Sequence, residues 1–179
     1  MADINFSSPA APAAEARSPS LREADLRWDI IELLFFAYRD FVGDADLELE
    51  AFGFGRAHHR VMHFVHRYPG LKVADLLDVL RITKQSLGRV LKQLIDQGYI
   101  VQKEGERDRR QRLLYVTDKG EALAMRLATL QTHRINRALA ELGPAAHAAA
   151  RAFLTAMIEG ADRDRALGFI ERANRARRR

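Results

Sequence analysis

Between Arg56 and Gly98 one apolar spacing, i, i+3, i+4 and i+7, occurs three times in quick succession. Val61, Phe64, Val65 and Tyr68 carry it first, Val73, Leu76, Leu77 and Leu80 second, and Leu87, Val90, Leu91 and Leu94 third. Each set lays an apolar stripe along one side of a helix. The spacing predicts helices over 56–67, 73–80 and 84–97. Pro69-Gly70 stops the first, and only Arg81 to Thr83 separate the second from the third. Thr83 is placed to cap the third helix, and Gly98 stands where a helix exit favours positive φ.

The period then changes. Tyr99-Ile100-Val101 and Leu113-Leu114-Tyr115-Val116 are β-prone runs on either side of QKEGERDRRQR, which predicts a hairpin with a long charged loop. Thr117 can cap a further helix, with Asp118 in its first turn, carrying Leu123, Leu127 and Leu130 and extending to Leu142. Gly143-Pro144 breaks the chain before a last helical region that contains Phe153, Leu154, Met157, Ile158, Leu167, Phe169 and Ile170. Upstream, residues 21–42 read as a helix apolar over most of its circumference, which calls for burial on several sides. Residues 43–55, with three glycines among acids, read as a loop with room for a helical turn.

Helix, short helix, tight turn, helix and hairpin form, in that order, a winged helix-turn-helix. The expected fold class is mainly α with a small β-hairpin wing, flanked by N- and C-terminal dimerisation helices. With its stripe turned inward, the third helix presents Thr83, Lys84, Gln85, Ser86, Gly88, Arg89 and Lys92. Arg and Lys suit guanine edges or phosphates, Gln suits adenine and hydroxyls suit either, while Gly88 permits close approach. The wing adds Lys103, Arg107, Asp108, Arg109, Arg110 and Arg112. Arg81 to Arg112 hold nine basic residues against four acidic ones, so the charge excess sits on the two elements that would face a duplex. Asp108 stands two residues before Arg110, where it is expected to hold that guanidinium.

The remaining composition narrows the function classes. The 179 residues carry a net charge of +5, which favours a polyanionic partner, and no cysteine, which excludes disulfides and thiol redox sensing. No Gly-rich phosphate loop, nucleophile triad or paired carboxylates are evident, so an enzyme is not expected, nor is a cofactor. Residues 1–20 are Ala-, Ser- and Pro-rich and read as a flexible tail, and no apolar run nears the ~20 residues of a membrane span. A cytoplasmic protein with no membrane partner is expected. His59, His63 and His66 share a helix face and are the weak candidates for a metal half-site, although polar packing is the plainer reading and no metal is expected. His58 is read as joining the apolar stripe. Trp28 and Tyr38 are the aromatic candidates for an effector pocket, against a plainer role in a core.

LLDVLRITKQSLGRVLKQLIDQGYIVQKEGERDRRQRLLYVTDKG resembles the DNA-binding core of the MarR family of bacterial regulators. Ser86 and Arg89, Leu94 with Gly98, the run Asp108-Arg109-Arg110, and Thr117-Asp118-Lys119-Gly120 carry the resemblance, which extends over about 21–160. Lys72, where a capping Ser or Thr is common, and Leu77, where Ala is common, depart from the pattern. The resemblance implies a homodimer with intertwined terminal helices, a palindromic double-stranded DNA operator, repression, and in many members a small-molecule effector bound between the two parts. The expected organisation is a tail (1–20), a dimerisation helix and loop (21–50), the winged domain (51–117), C-terminal dimerisation helices (118–175) and a basic tail (176–179). The alternative is a non-specific winged-helix DNA-binding or protein-interaction module.

Overall fold

A computed structural model describes residues 22–105 and 108–176. The wing residue Arg107, the expected N-terminal tail and residues 177–179 of the basic tail lie outside the described residues. A break in contacts after Phe36 divides the chain into two units, residues 1–36 and 37–179.

A single 3₁₀ turn, Glu23–Asp25, precedes helix α1, Trp28–Glu50. The helix expected over 21–42 therefore starts later and runs through most of the stretch that reads as a loop. Gly43 costs a helix about 1 kcal/mol relative to Ala, and tertiary contacts outweigh it. Val42, Ala45 and Leu49 are buried at helical spacing. The acids that suggest a loop are ion-paired from the helix: Asp44 to Arg134 at 2.9 Å, Asp46 to Arg56 at 2.8 Å, and Glu48 to Arg126. The apolar residues of the first half are not buried within the chain; Leu33 is 62% exposed and Phe35 70%.

The second unit continues with α2 (Arg56–Arg67), β1 (Leu71–Lys72), α3 (Val73–Leu80), α4 (Lys84–Asp96), β2 (Ile100–Glu104), β3 (Arg112–Val116) and α5 (Asp118–Leu142). The last helical region is two helices, α6 (Ala146–Met157) and α7 (Gly160–Ala176), which part at Ile158, an extended residue. Val61, Val65, Leu76, Leu80, Leu87, Leu91 and Leu94 all lie in one core with Ile100, Leu114, Leu123 and Leu127, so the three stripes converge. The two-residue strand β1 escapes a periodicity reading because only its pairing with Leu113 and Leu114 defines it. The sheet is antiparallel with the order β1-β3-β2. Pairing of β2 with β3 from Ile100↔Val116 to Glu104↔Arg112 shortens the expected loop and puts Lys103 and Arg112 on strands.

The exit of α4 is tied to the start of α5. Thr117 donates its hydroxyl to the Gly98 carbonyl at 2.7 Å and accepts the Gly120 N–H at 3.0 Å. Lys119 donates to the Gln97 carbonyl at 3.0 Å and lies 4.2 Å from the centre of the Tyr99 ring. The Thr-Asp-Lys-Gly run is thus a lock between the third helix of the winged domain and the helix that follows the wing.

Candidate nucleic-acid interface

Every expected reading residue of α4 is exposed. Thr83, Lys84, Gln85, Ser86, Gly88, Arg89 and Lys92 face outward while Leu87, Val90, Leu91 and Leu94 are buried. Arg81 makes the turn before them in the left-handed region, φ 50°, with its guanidinium paired to Asp162 of α7. Thr83 caps α4: its oxygen accepts the Ser86 N–H at 3.2 Å while its hydroxyl donates to Ser86 Oγ at 2.9 Å. Ser86 keeps its own hydroxyl hydrogen to offer outward. Lys92 pairs with Asp96, whereas the side chains of Lys84, Gln85 and Arg89 have no partner among the described residues.

The wing differs from expectation in one respect. Asp108 does not grip the Arg110 guanidinium. Its carboxylate accepts the Arg110 backbone N–H at 3.0 Å and the Gln111 amide at 3.3 Å, and its carbonyl accepts the Gln111 N–H at 3.0 Å. A short acidic side chain captures the amide two residues on more readily than a long mobile guanidinium. Asp108 therefore builds the tip, and Arg109 and Arg110 project from it exposed. Arg112 pairs across the strands with Glu104 at 2.7 Å, and Lys103 lies 5.1 Å from the centre of the Tyr115 ring. Asp108→Ala should loosen the tip and weaken specific and scrambled duplexes alike by about 3- to 10-fold, the value of roughly one net hydrogen bond. A binding titration at fixed salt checks this; unchanged affinity would remove the ordered tip from the interface.

The histidines separate by role. Burial holds His59 below the ordinary imidazole range, against the opposing influence of Asp46 and a hydrogen bond to Gln131. His66 is also buried, while His63 is exposed. Among the described residues no group of three or more metal-ligating side chains is placed to hold an ion. His58 does not simply join the apolar stripe. Its Nδ1 accepts the Gly55 N–H at 3.1 Å, and its Nε2 lies 2.8 Å from Gln93 Oε1 on α4. The Gly-x-x-His spacing at the start of α2 is the one sequence signal for the first of these bonds, since it mimics a capping box.

A cavity of about 1370 Å³ opens among α2, α3, α5 and α7, lined by His66, Tyr68, Leu77, Met125 and Phe169 among others. The Tyr68 and Phe169 rings are 3.7 Å apart, and the Tyr68 hydroxyl donates to the Phe169 carbonyl at 3.0 Å. Burial raises the Tyr68 pKa above its ordinary value, so the hydroxyl stays protonated as that bond requires. Trp28 and Tyr38 stand on α1, each 53% exposed. No helix among the described residues is long and apolar enough to cross a membrane.

The MarR family profile matches residues 52–111, from the loop before α2 to the wing tip. The HTH-type transcriptional regulator PetP of Rhodobacter capsulatus is 47% identical over 133 residues, which cover 74% of this chain and 80% of that protein. Among solved structures, Streptococcus pneumoniae FabT in complex with DNA superposes with a TM-score of 0.65 at 17% identity, covering 72% of this chain and 92% of that one. MarR superposes with a TM-score of 0.62 at 22% identity, covering 82% of this chain and 99% of that one. The order of elements, the extent of the shared fold and the identity to a curated regulator agree: the chain belongs to the MarR family of winged helix-turn-helix transcriptional regulators.

Proposed function

We propose that the chain is a sequence-specific repressor that acts as a homodimer on a palindromic operator and is released by a small-molecule effector. One observation carries the DNA-reading part: α4 is fastened on its apolar side and carries the unpartnered Lys84, Gln85 and Arg89 on its exposed side. Residues 51–117 are the DNA-binding part in this reading, with residues 21–50 and 118–175 the dimerisation parts. In the FabT relative the same fold is bound to DNA. The effector is assigned to the cavity walled by α2 and α3 on one side and by α5 and α7 on the other, in place of the α1 aromatics.

Arg89 and the wing arginines are expected to fail differently. Arg89→Ala should weaken the selected operator by about 5- to 150-fold for each half-site, the loss of one bidentate base contact per protomer, and scrambled DNA far less. Arg110→Ala should weaken both more evenly, because an arginine entering the minor groove reads width and A·T content rather than base identity. Selection of bound duplexes from a random pool supplies the operator, and titration of each variant on selected and scrambled DNA tests the assignment. Equal losses on both duplexes for Arg89→Ala would leave the non-specific reading standing.

Dimerisation rests on apolar surface. Helix α1 exposes Trp28, Leu33, Phe35, Phe36 and Tyr38, and α6 exposes Phe153, Leu154 and Met157. Exposed apolar patches beyond a few hundred Å² mark interaction surfaces. Light scattering at micromolar concentration without DNA should return about twice the chain mass of 20.3 kDa. The mass of a single chain would sink the homodimer.

A further inference from the structure

His58 is half-buried in the first turn of α2, where its ring stacks on Phe54 with centroids 4.7 Å apart. The Gly55 N–H points at Nδ1, so that nitrogen must present its lone pair. The hydrogen of the neutral ring is then on Nε2, which donates to Gln93 Oε1 at 2.8 Å. The Gln93 amide donates in turn to the Gly53 carbonyl at 3.4 Å. One neutral imidazole thereby joins the loop before α2, the first turn of α2 and the third turn of α4.

Gln85, Arg89 and Gln93 follow one another at i, i+4 and i+8 on α4, stepping round the helix by about 40° each. The leucine stripe holds α4 down on its apolar side, where Leu87, Val90, Leu91 and Leu94 are buried. Gln93 supplies a directional restraint on the polar side. A roll of about 10° would carry an arginine tip roughly 1.5 Å, more than a bidentate contact tolerates. We infer that His58, in its Nε2–H form, is a positioning residue that fixes the rotation of α4 and so sets base discrimination by Arg89 and Gln85. The inference rests on the reading of α4 as the helix that meets DNA.

Protonation would place a second N–H against the Gly55 N–H, and the ring could no longer keep both partners. The ionisable groups around the network are few. On α2 they are Arg56, paired with Asp46, and the buried His59. On α4, Arg89 lies one turn before Gln93, and Asp96, paired with Lys92, lies one turn after it. Beyond Phe54 stands Tyr99 at 5.1 Å, with the Lys119 ammonium over its ring. Among the described residues none of these is hydrogen-bonded or ion-paired to the His58 imidazole. The His59 contribution is distinct: with its pKa lowered by burial, it stabilises the fold above the ordinary imidazole range and that stability is lost as pH falls below it. Its loss acts on folding, and hence on all duplexes together.

The test compares the operator-to-scrambled affinity ratio of the full-length wild type, His58→Gln, His58→Asn and Gln93→Met at about pH 8 and pH 6. Circular dichroism at each pH restricts the comparison to folded protein. The wild-type ratio should fall by about 3- to 10-fold on acidification, the equivalent of one net hydrogen bond. His58→Asn keeps an acceptor for Gly55 but cannot reach Gln93, and Gln93→Met removes the partner itself. Both should show the reduced ratio at either pH. His58→Gln, which reaches Gln93 without an ionisable group, should keep most of the ratio and flatten its pH profile. A wild-type ratio indifferent to pH, or His58→Asn and Gln93→Met variants that discriminate like the wild type, would overturn the inference. A wild type that prefers no duplex at all would instead overturn the reading of α4.

Discussion

Operator affinity should fall by about 10³- to 10⁵-fold as salt rises from 50 to 200 mM, with a log–log slope of roughly −5 to −9. Among the described residues of α4 and the wing, the exposed cations without a carboxylate partner are Lys84, Arg89, Lys103, Arg109 and Arg110. Lys92 and Arg112 are already neutralised by Asp96 and Glu104, and Arg81 by Asp162. On the proposed two-fold operator, three to five cations per half-site would make about six to ten phosphate contacts per dimer, each releasing close to one counterion. The measurement is a titration of the selected operator across that salt range. A slope near −1 would mean that one or two cations at most meet phosphate, which two winged domains on one duplex could not produce.

Gly120→Ala should destabilise the fold by about 3 kcal/mol or more, lowering the thermal midpoint by roughly 6–12 °C. A β-carbon at Gly120 would stand 2.0 Å from the Tyr99 carbonyl oxygen and 3.0 Å from its carbon. Both are backbone atoms, so no rotamer change relieves the clash. Making room means lifting the first turn of α5 off the exit of α4, against the bond from the Thr117 N–H to the Tyr99 carbonyl at 3.1 Å and that from its hydroxyl to Gly98. Gly88 is the contrasting position: it lies inside α4 with no atom within 4 Å of an added β-carbon. Gly88→Ala should stabilise the free protein by about 0.5–1 kcal/mol. Thermal unfolding of the two variants decides, and a Gly120→Ala midpoint within about 2 °C of wild type would break the account of the lock.

Much of the site is legible along the chain because its signals are short-range. The stripes of α2, α3 and α4 put inside most of the leucines and valines that the structure buries, with Val73 and Leu77 left half-buried, and all four of the α4 stripe are buried, so the outward residues of α4 follow by exclusion. Thr83 and Thr117 cap the helices whose first turns they precede, and Gly98 has the positive φ that its place suggests. The wing is legible as a charged connection between two β-prone runs. Its internal wiring is not, because Asp108 has a choice between a guanidinium and a backbone amide, and only the folded turn brings the amide within 3.0 Å.

What the sequence by itself determined is the local alphabet: that α2, α3, α4 and α5 are helices and the wing a hairpin, which side of α4 faces out, and where the cations gather. Periodicity and capping act over three or four residues, and no distant partner is needed to read them. Tertiary structure alone decided the rest. Helix α1 runs through Gly43 because Val42, Ala45 and Leu49 find burial and Asp44 meets Arg134, 90 positions away. Strand β1 exists because Leu71 and Lys72 find Leu114 and Leu113 across more than forty residues. His58 ties α2 to α4 through a glutamine 35 residues on, and the cavity needs four helices at once. Each depends on directional polar contacts or shared walls between segments whose relative placement no single stretch of chain encodes. Apolar burial brings such segments together without specifying their pairing, and the hydrogen bonds choose among the pairings once they meet.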